Sequence, residues 1–102
     1  MAASPRPTAV LCGNDVLAAG ALRQARQMGL DVPRDVSITG FDDIEIARIV
    51  VPALTTVHVP HREMGANAAR QLVDMVENAS PGTTVELEAR ICLRDSLGPP
   101  PR

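Results

Sequence analysis

Residues 8–43 read TAVLCGNDVLAAGALRQARQMGLDVPRDVSITGFDD, and this stretch decides the fold. Residues 8–13 (TAVLCG) are a short apolar run with β-branched members, bounded by Pro7 and by Asn14-Asp15. Such a run reads as a buried strand. Asn14 or Asp15 then caps a helix, because either side chain can accept from the free N–H groups of a first turn. Leu17, Ala21, Ala25 and Met28 recur at helical spacing and mark its expected buried stripe. Gly29 is placed to be the left-handed residue after the helix, with Leu30 as its apolar contact. Residues 31–35 (DVPRD) form a turn in which Pro33 biases Val32 away from helix. Residues 36–41 (VSITGF) are a second buried strand, and it ends in Asp42-Asp43.

Outward from this unit, residues 44–50 fit a short helix stopped by Pro52. Residues 54–59 (LTTVHV) are a third extended segment, ended by Pro60. The spacing of Met64, Ala68, Leu72 and Met75 predicts a helix over residues 61–78. Its small residues Gly65, Ala66 and Ala69 would permit close approach of a neighbour. Residues 78–82 (NASPG) are a turn cluster. Val85, Leu87, Ala89, Ile91 and Leu93 then alternate with Glu86, Glu88, Arg90, Cys92 and Arg94, which predicts a strand with one buried face. From Gly98 the chain (GPPPR) reads as a frayed end.

Strands alternating with helices predict an α/β fold with parallel pairing and right-handed crossovers. The first two strands are apolar on both faces, so each wants strand neighbours and helices on both sides. The chain holds too few elements to supply them. The expected architecture is therefore an incomplete parallel sheet flanked by helices, and the isolated chain is expected to associate through exposed edges.

The chain's 102 residues suffice for one small domain. Hydrophobic residues make up 45 %, yet no run approaches the ~20 apolar residues of a membrane span. The first seven residues lack an apolar core of the secretory type, so a cytoplasmic location is expected. A net charge of −2 argues against these residues gripping a phosphate backbone. All ten basic residues are Arg, which excludes any mechanism that needs a lysine. Phe41 is the single aromatic residue, so a base-stacking surface is missing. Cys12 and Cys92 read as small buried hydrophobes rather than a disulfide.

In a parallel α/β sheet, ligands bind outside the carboxyl ends of the strands. Asn14-Asp15 and Asp42-Asp43 follow two such strands, so both pairs are expected on one edge. A carboxylate beside an amide suits a polyhydroxylated or amine-bearing small molecule. The same four residues are equally well explained as helix caps and turn residues. A third reading makes Asp15, Asp42 and Asp43 a Mg²⁺ site, but the chain has no lysine to partner a phosphate. His58 and His61 are separated by Pro60, which breaks the helix that would align them on zinc. Ser37, Ser80 and Ser96 lack a strand–turn–helix nucleophile setting. No catalytic residue, metal site or cofactor is expected, and the chain reads as a binding module rather than an enzyme.

The succession PTAVLCGNDVLAAGALRQARQMGLDVPRDVSITGFDD, PALTTVHVP, REMGANAARQLVDMV and RICLRDS resembles the C-terminal end of the LacI/GalR family of bacterial transcriptional regulators. The match runs from Pro7 to about Gly98, with its blocks in order. The resemblance implies a partial, type I periplasmic-binding-protein-like sensor, residues 1–102 being its C-terminal fragment without a helix-turn-helix domain. It implies a sugar or small-metabolite effector bound between two lobes, with Asn14 and Asp42 as contacts. LTTVHVP and the closing strand would cross between the lobes as hinges, and the helix over 61–78 would belong mainly to the other lobe. The helix from Asp15 and residues 47–51 resemble parts of a homodimer interface. DNA would be reached only through a missing N-terminal domain. The alternative within the same fold is a solute-binding protein acting in sugar transport.

Overall fold

The structure is a computed structural model that describes residues 5–102. In chain order its elements are β1 (Ala9–Leu11), α1 (Asp15–Gln27), β2 (Ser37–Thr39), α2 (Ile46–Ile49), β3 (Thr56–His58), α3 (His61–Asn78) and β4 (Arg90–Cys92). They fall into two compact units: one holds the described residues up to His58 together with Arg90–Arg102, the other Val59–Ala89. The chain passes between them twice, directly after β3 and directly before β4.

In the first unit β1 and β2 pair in parallel, with Val10 opposite Ile38 and Leu11 opposite Thr39. The other edge of β2 is also occupied. Gly40 N donates to Thr55 O at 3.0 Å, Asp42 N to Val57 O at 2.9 Å and Ile38 N to Ser96 O at 3.0 Å. β3 runs parallel to the end of β2 through the Thr39–Thr55 and Asp42–His58 bridges. It then pairs antiparallel with β4, with Val57 opposite Ile91. β2 is thus the central strand, and Ile38 within it and Val36 just before it are fully buried. β1 behaves differently from the expected buried strand. It lies at the edge, and Leu11 is 80 % exposed because none of the described residues covers that side.

The helix α1 starts and stops where its sequence says it should. Asn14 is the N-cap, its side chain accepting from Leu17 N at 2.8 Å. At the other end Gly29 takes φ +77, Gly29 N donates to Arg26 O and Leu30 N to Ala25 O. That pair of bonds is the Schellman closure, which satisfies carbonyls the helix leaves free. Its buried stripe is shifted from the expected one. Ala18, Leu22 and Ala25 are buried, whereas Leu17 and Met28 are exposed. The cause is Asp15, which is fully buried and turns its own side of the helix inward. Ala47 of α2 and Leu54 complete this core.

Asp15 is the tie between elements. Its carboxylate accepts from Thr56 Oγ1 at 2.6 Å and from Ile44 N at 2.9 Å, joining α1 to β3 and to the loop before α2. Gly40 packs against it so closely that an added Cβ would lie 2.1 Å from Asp15 Oδ1 and 3.1 Å from Asp15 Cα. Ser96 makes a second stitch. Its hydroxyl donates to Ile38 O and accepts from Thr55 N, fixing the closing segment against β2.

The second unit is built on α3, whose bounds coincide with the predicted helix. Met64, Asn67, Ala68 and Gln71 line a shallow cavity of about 170 Å³ with Val85 and Leu87. Gln71 Oε1 accepts from Thr83 N, and Met75 lies against Gly82. Leu72, the remaining member of the predicted stripe, is exposed, and no residue of α3 is buried.

The predicted strand over residues 85–93 is corrected in extent and in facing. Only Arg90–Cys92 is paired. Ile91 and Leu93 are 71 % and 74 % exposed, while Cys92 and Arg94 turn toward the interior. A buried carboxylate, Asp43, bonds Arg94 and lies beside Cys92, and that attraction outweighs the hydrophobic alternation at this end of the segment.

Gly40→Ala is expected to destabilise the chain by about 2 kcal/mol or more, since Asp15 backbone as well as side chain must move. Gly20→Ala, with nothing within 4 Å of the added Cβ in α1, is expected to be neutral or to stabilise by about 0.5–1 kcal/mol. Urea melts of the two variants separate the effects.

Candidate functional site

The register of β1 on β2 places two loops together. Leu11 faces Thr39, Cys12 N donates to Thr39 O at 2.9 Å, and Asp15 N donates to Phe41 O at 3.1 Å. Asn14 and Asp42 each stand three residues beyond the paired Leu11 and Thr39. Both therefore lie on the carboxyl rim of the sheet, as the parallel arrangement predicts. Both are half-buried. Leu17, Phe41 and Ile44 are exposed apolar side chains from the same loops.

The four polar residues divide by their commitments. Asn14 does cap α1, but the cap uses only its carbonyl oxygen. Its amide N–H₂ keeps two donors that capping does not use. Asp42 and Asp43 adopt φ +112 and +61, two successive residues in a region L-amino acids rarely enter. Strain of this kind costs roughly 1–3 kcal/mol per residue and gathers where a loop must aim a group. Asp15 is spent on Thr56 and Ile44, away from solvent.

Asp43 is the hub that sequence reasoning missed. Its nearly buried carboxylate accepts from Arg94 Nη2 at 2.7 Å, His58 Nδ1 at 2.9 Å and Arg48 Nη2 at 3.2 Å. Cys92 Sγ stands 4.0 Å away. Burial pushes the Asp43 pKa up, but the bonds from Arg94, His58 and Arg48 outweigh it and hold the group at about 2. Arg94 also donates to Leu54 O. His58 is half-buried and paired with Asp43. Nothing local could have found this hub, because Arg94 lies 51 positions from it.

The partners of Asp43 also bear on the Mg²⁺ reading. Asp15 and Asp43 are committed to protein donors, and among the described residues no group of three His, Cys, Asp or Glu could hold a metal ion. His61 is the first residue of α3. Ser37 binds Gly98 through its hydroxyl, and Ser96 binds Ile38, so both are structural. Cys12 and Cys92 are free thiols, and burial pushes Cys12 up. Among the described residues no helix is long and apolar enough to cross a membrane.

A second surface lies on the first unit. Ala19, Leu22, Arg23, Arg26, Val50 and Val51 line a groove of about 430 Å³, and Arg26 reaches the Val51 carbonyl. Ile49 and Val51 beside it are exposed.

A parallel β-α-β unit with a polar rim, followed by strands that lead out to a second unit and back, is an α/β fold of periplasmic-binding-protein type. Residues 1–97 match the Periplasmic binding protein-like domain, and the chain belongs to that family. It is 43 % identical over 99 residues to the HTH-type transcriptional repressor PurR of Salmonella arizonae and of Salmonella typhi. That match takes in 96 % of the chain and 29 % of the relatives, so the chain spans less than a third of their length. Among solved structures it resembles the transcriptional regulator CelR in complex with cellobiose, at TM-score 0.85 and 34 % identity. That likeness covers 91 % of the chain and 29 % of CelR. It also resembles the lac repressor dimer bound to operator and the anti-inducer ONPF, at TM-score 0.81 and 31 % identity over 89 % of the chain and 32 % of the repressor. The fold is thus a partial sensor of the LacI-regulator type, as the sequence resemblance implied.

The lowered pKa of Asp43 fixes a pH dependence with a definite sign. The contribution is fully present above the ordinary carboxylate value near 4 and is lost as pH falls toward about 2. Asp43→Asn, which tolerates the positive φ, lacks that contribution at every pH. The stability gap between wild type and Asp43→Asn is expected to narrow by about 2 kcal/mol between pH 5 and pH 2. Urea midpoints taken across that range check it.

Proposed function

We propose that these residues are the effector-binding and dimerisation segment of a LacI-type, DNA-binding transcriptional regulator that senses a sugar or small metabolite in the cytoplasm. The observation that carries the reading is the shared rim, where the Asn14 amide and the Asp42 carboxylate emerge from adjacent parallel strands. An amide donor beside a carboxylate acceptor can pair with the alternating hydroxyls of a sugar, and the exposed Leu17, Phe41 and Ile44 offer apolar area for its carbon faces. The relatives are transcriptional regulators, so the role proposed for this rim is binding.

The effector works by preferring one sensor conformation, and its effect is bounded by its differential affinity for the two. The groove along α1 and residues 50–51 is the proposed homodimer contact, with apolar Val50 and Val51 rimmed by Arg23 and Arg26. DNA contact belongs to a helix-turn-helix domain outside these residues, whose net charge of −2 suits no phosphate backbone. The relatives are transcriptional regulators, and no feature of the chain favours the transport reading over them.

Two substitutions test the rim without touching the fold. Asn14→Asp keeps a capping oxygen and removes the amide donors; Asp42→Asn keeps the shape and removes the charge. Calorimetric titration with a panel of mono- and disaccharides, starting from cellobiose, is expected to show binding that each variant weakens by about tenfold or more at unchanged melting temperature. Undiminished binding by both variants would show that the rim does not hold the effector.

A further inference from the structure

We infer that Asp43 is a positioning residue that joins the effector rim to the two strands through which the chain leaves and re-enters the first unit. This rests on the effector reading only for the purpose of the rim; the mechanical link stands on its own geometry.

That geometry has two parts. Asp42, on the rim, is bonded through its backbone to β3, where Asp42 N donates to Val57 O at 2.9 Å. The next residue, Asp43, points the other way, into the protein, and its carboxylate gathers side chains from three separate segments. His58 is the last residue of β3, where the first unit ends, and Arg94 follows β4, where the unit resumes. Arg48 lies on α2. One carboxylate therefore fixes the exit strand, the return strand and the short helix to a single point one residue from the rim. The successive positive φ angles of Asp42 and Asp43 are what allow adjacent side chains to face a ligand and the interior.

A link of this kind has directional consequences. The carboxylate is nearly buried and its partners are charge-assisted, so it cannot slide from one arrangement to another without leaving a charge unpaired. A shift of the Asp42 loop on binding must then carry Asp43, and Asp43 must carry the ends of β3 and β4. Side chains that only fill the core, such as Ile38 and Leu22, have no part in this path.

Amide hydrogen exchange on the intact chain distinguishes this role from simple stabilisation. In Asp43→Asn, exchange at Asp42, Thr56 and Cys92 is expected to rise by about tenfold while Ile38, Leu22 and Ala25 keep wild-type protection. Arg48→Ala removes only the most exposed of the three partners, so its fold is retained. It is expected to raise exchange at the same three amides by about twofold to threefold and nowhere in α1. A uniform rise across strands and α1 in Arg48→Ala, or no rise at Thr56 and Cys92 in either variant, would overturn the proposal. Failure of the rim variants to affect sugar binding leaves this exchange pattern unaltered, so the two readings fail separately.

Discussion

The fold depends on a single fully buried carboxylate. Asp15 sits in the first turn of α1, where the helix dipole favours negative charge, and spends its oxygens on Thr56 Oγ1 and Ile44 N. Burying an unpaired acid would cost several kcal/mol, so these bonds are conditions of the fold and not additions to it. They determine how deep α1 lies on the sheet, which turns Ala18, Leu22 and Ala25 inward and leaves Leu17 out. They also require that nothing stand between Asp15 and β2. Gly40 is the residue that leaves that space open.

Much of this was legible in the sequence where the signal is local. The cap at Asn14, the Gly29 and Leu30 closure and the extent of α3 follow from residue type and spacing, and all three stand in the structure. The shared rim followed from one further step, the topology of a parallel crossover. What stayed hidden were the long-range charges. Nothing near Asp43 announces Arg94, and without that pair the alternation over residues 85–93 points its apolar side the wrong way. The stripe of α1 was misplaced by one residue for a related reason: a charged residue, Asp15, belongs to the buried side. Periodicity counts hydrophobic residues, and here two buried carboxylates outrank it.

The same comparison explains why four polar residues in two pairs do different things. In each pair one member lies on the rim and one faces inward. Asn14 and Asp15 are split by the start of a helix, which turns successive side chains through about 100°. Asp42 and Asp43 lie beyond a strand and reach the same division through positive φ angles. The inward members are both hydrogen-bonded, Asp15 by neutral donors and Asp43 by two arginines and His58, so each loop is held from beneath. A rim held this way is preorganised, and preorganised polar groups lose less freedom when a ligand binds.

Rigidity beneath the rim also bears on how a small ligand could be felt at a distance. A sensor responds only if the groups that meet the ligand are joined to parts that can take up two arrangements. Core packing alone would serve poorly, since apolar side chains repack in small, non-directional ways. A buried ion cluster is different, because its geometry is specific and its disruption leaves unpaired charge. In this chain the cluster stands one residue behind the rim and holds the ends of β3 and β4. The exposed Ile91 and Leu93 beside it show that β4 is not held in place by hydrophobic burial on its outer face. What anchors that strand and the residues after it to the first unit is the ladder to β3, the Ser96 bonds to Ile38 and Thr55, and the bond from Arg94 to Asp43. Only the last of these runs to the residue behind the rim.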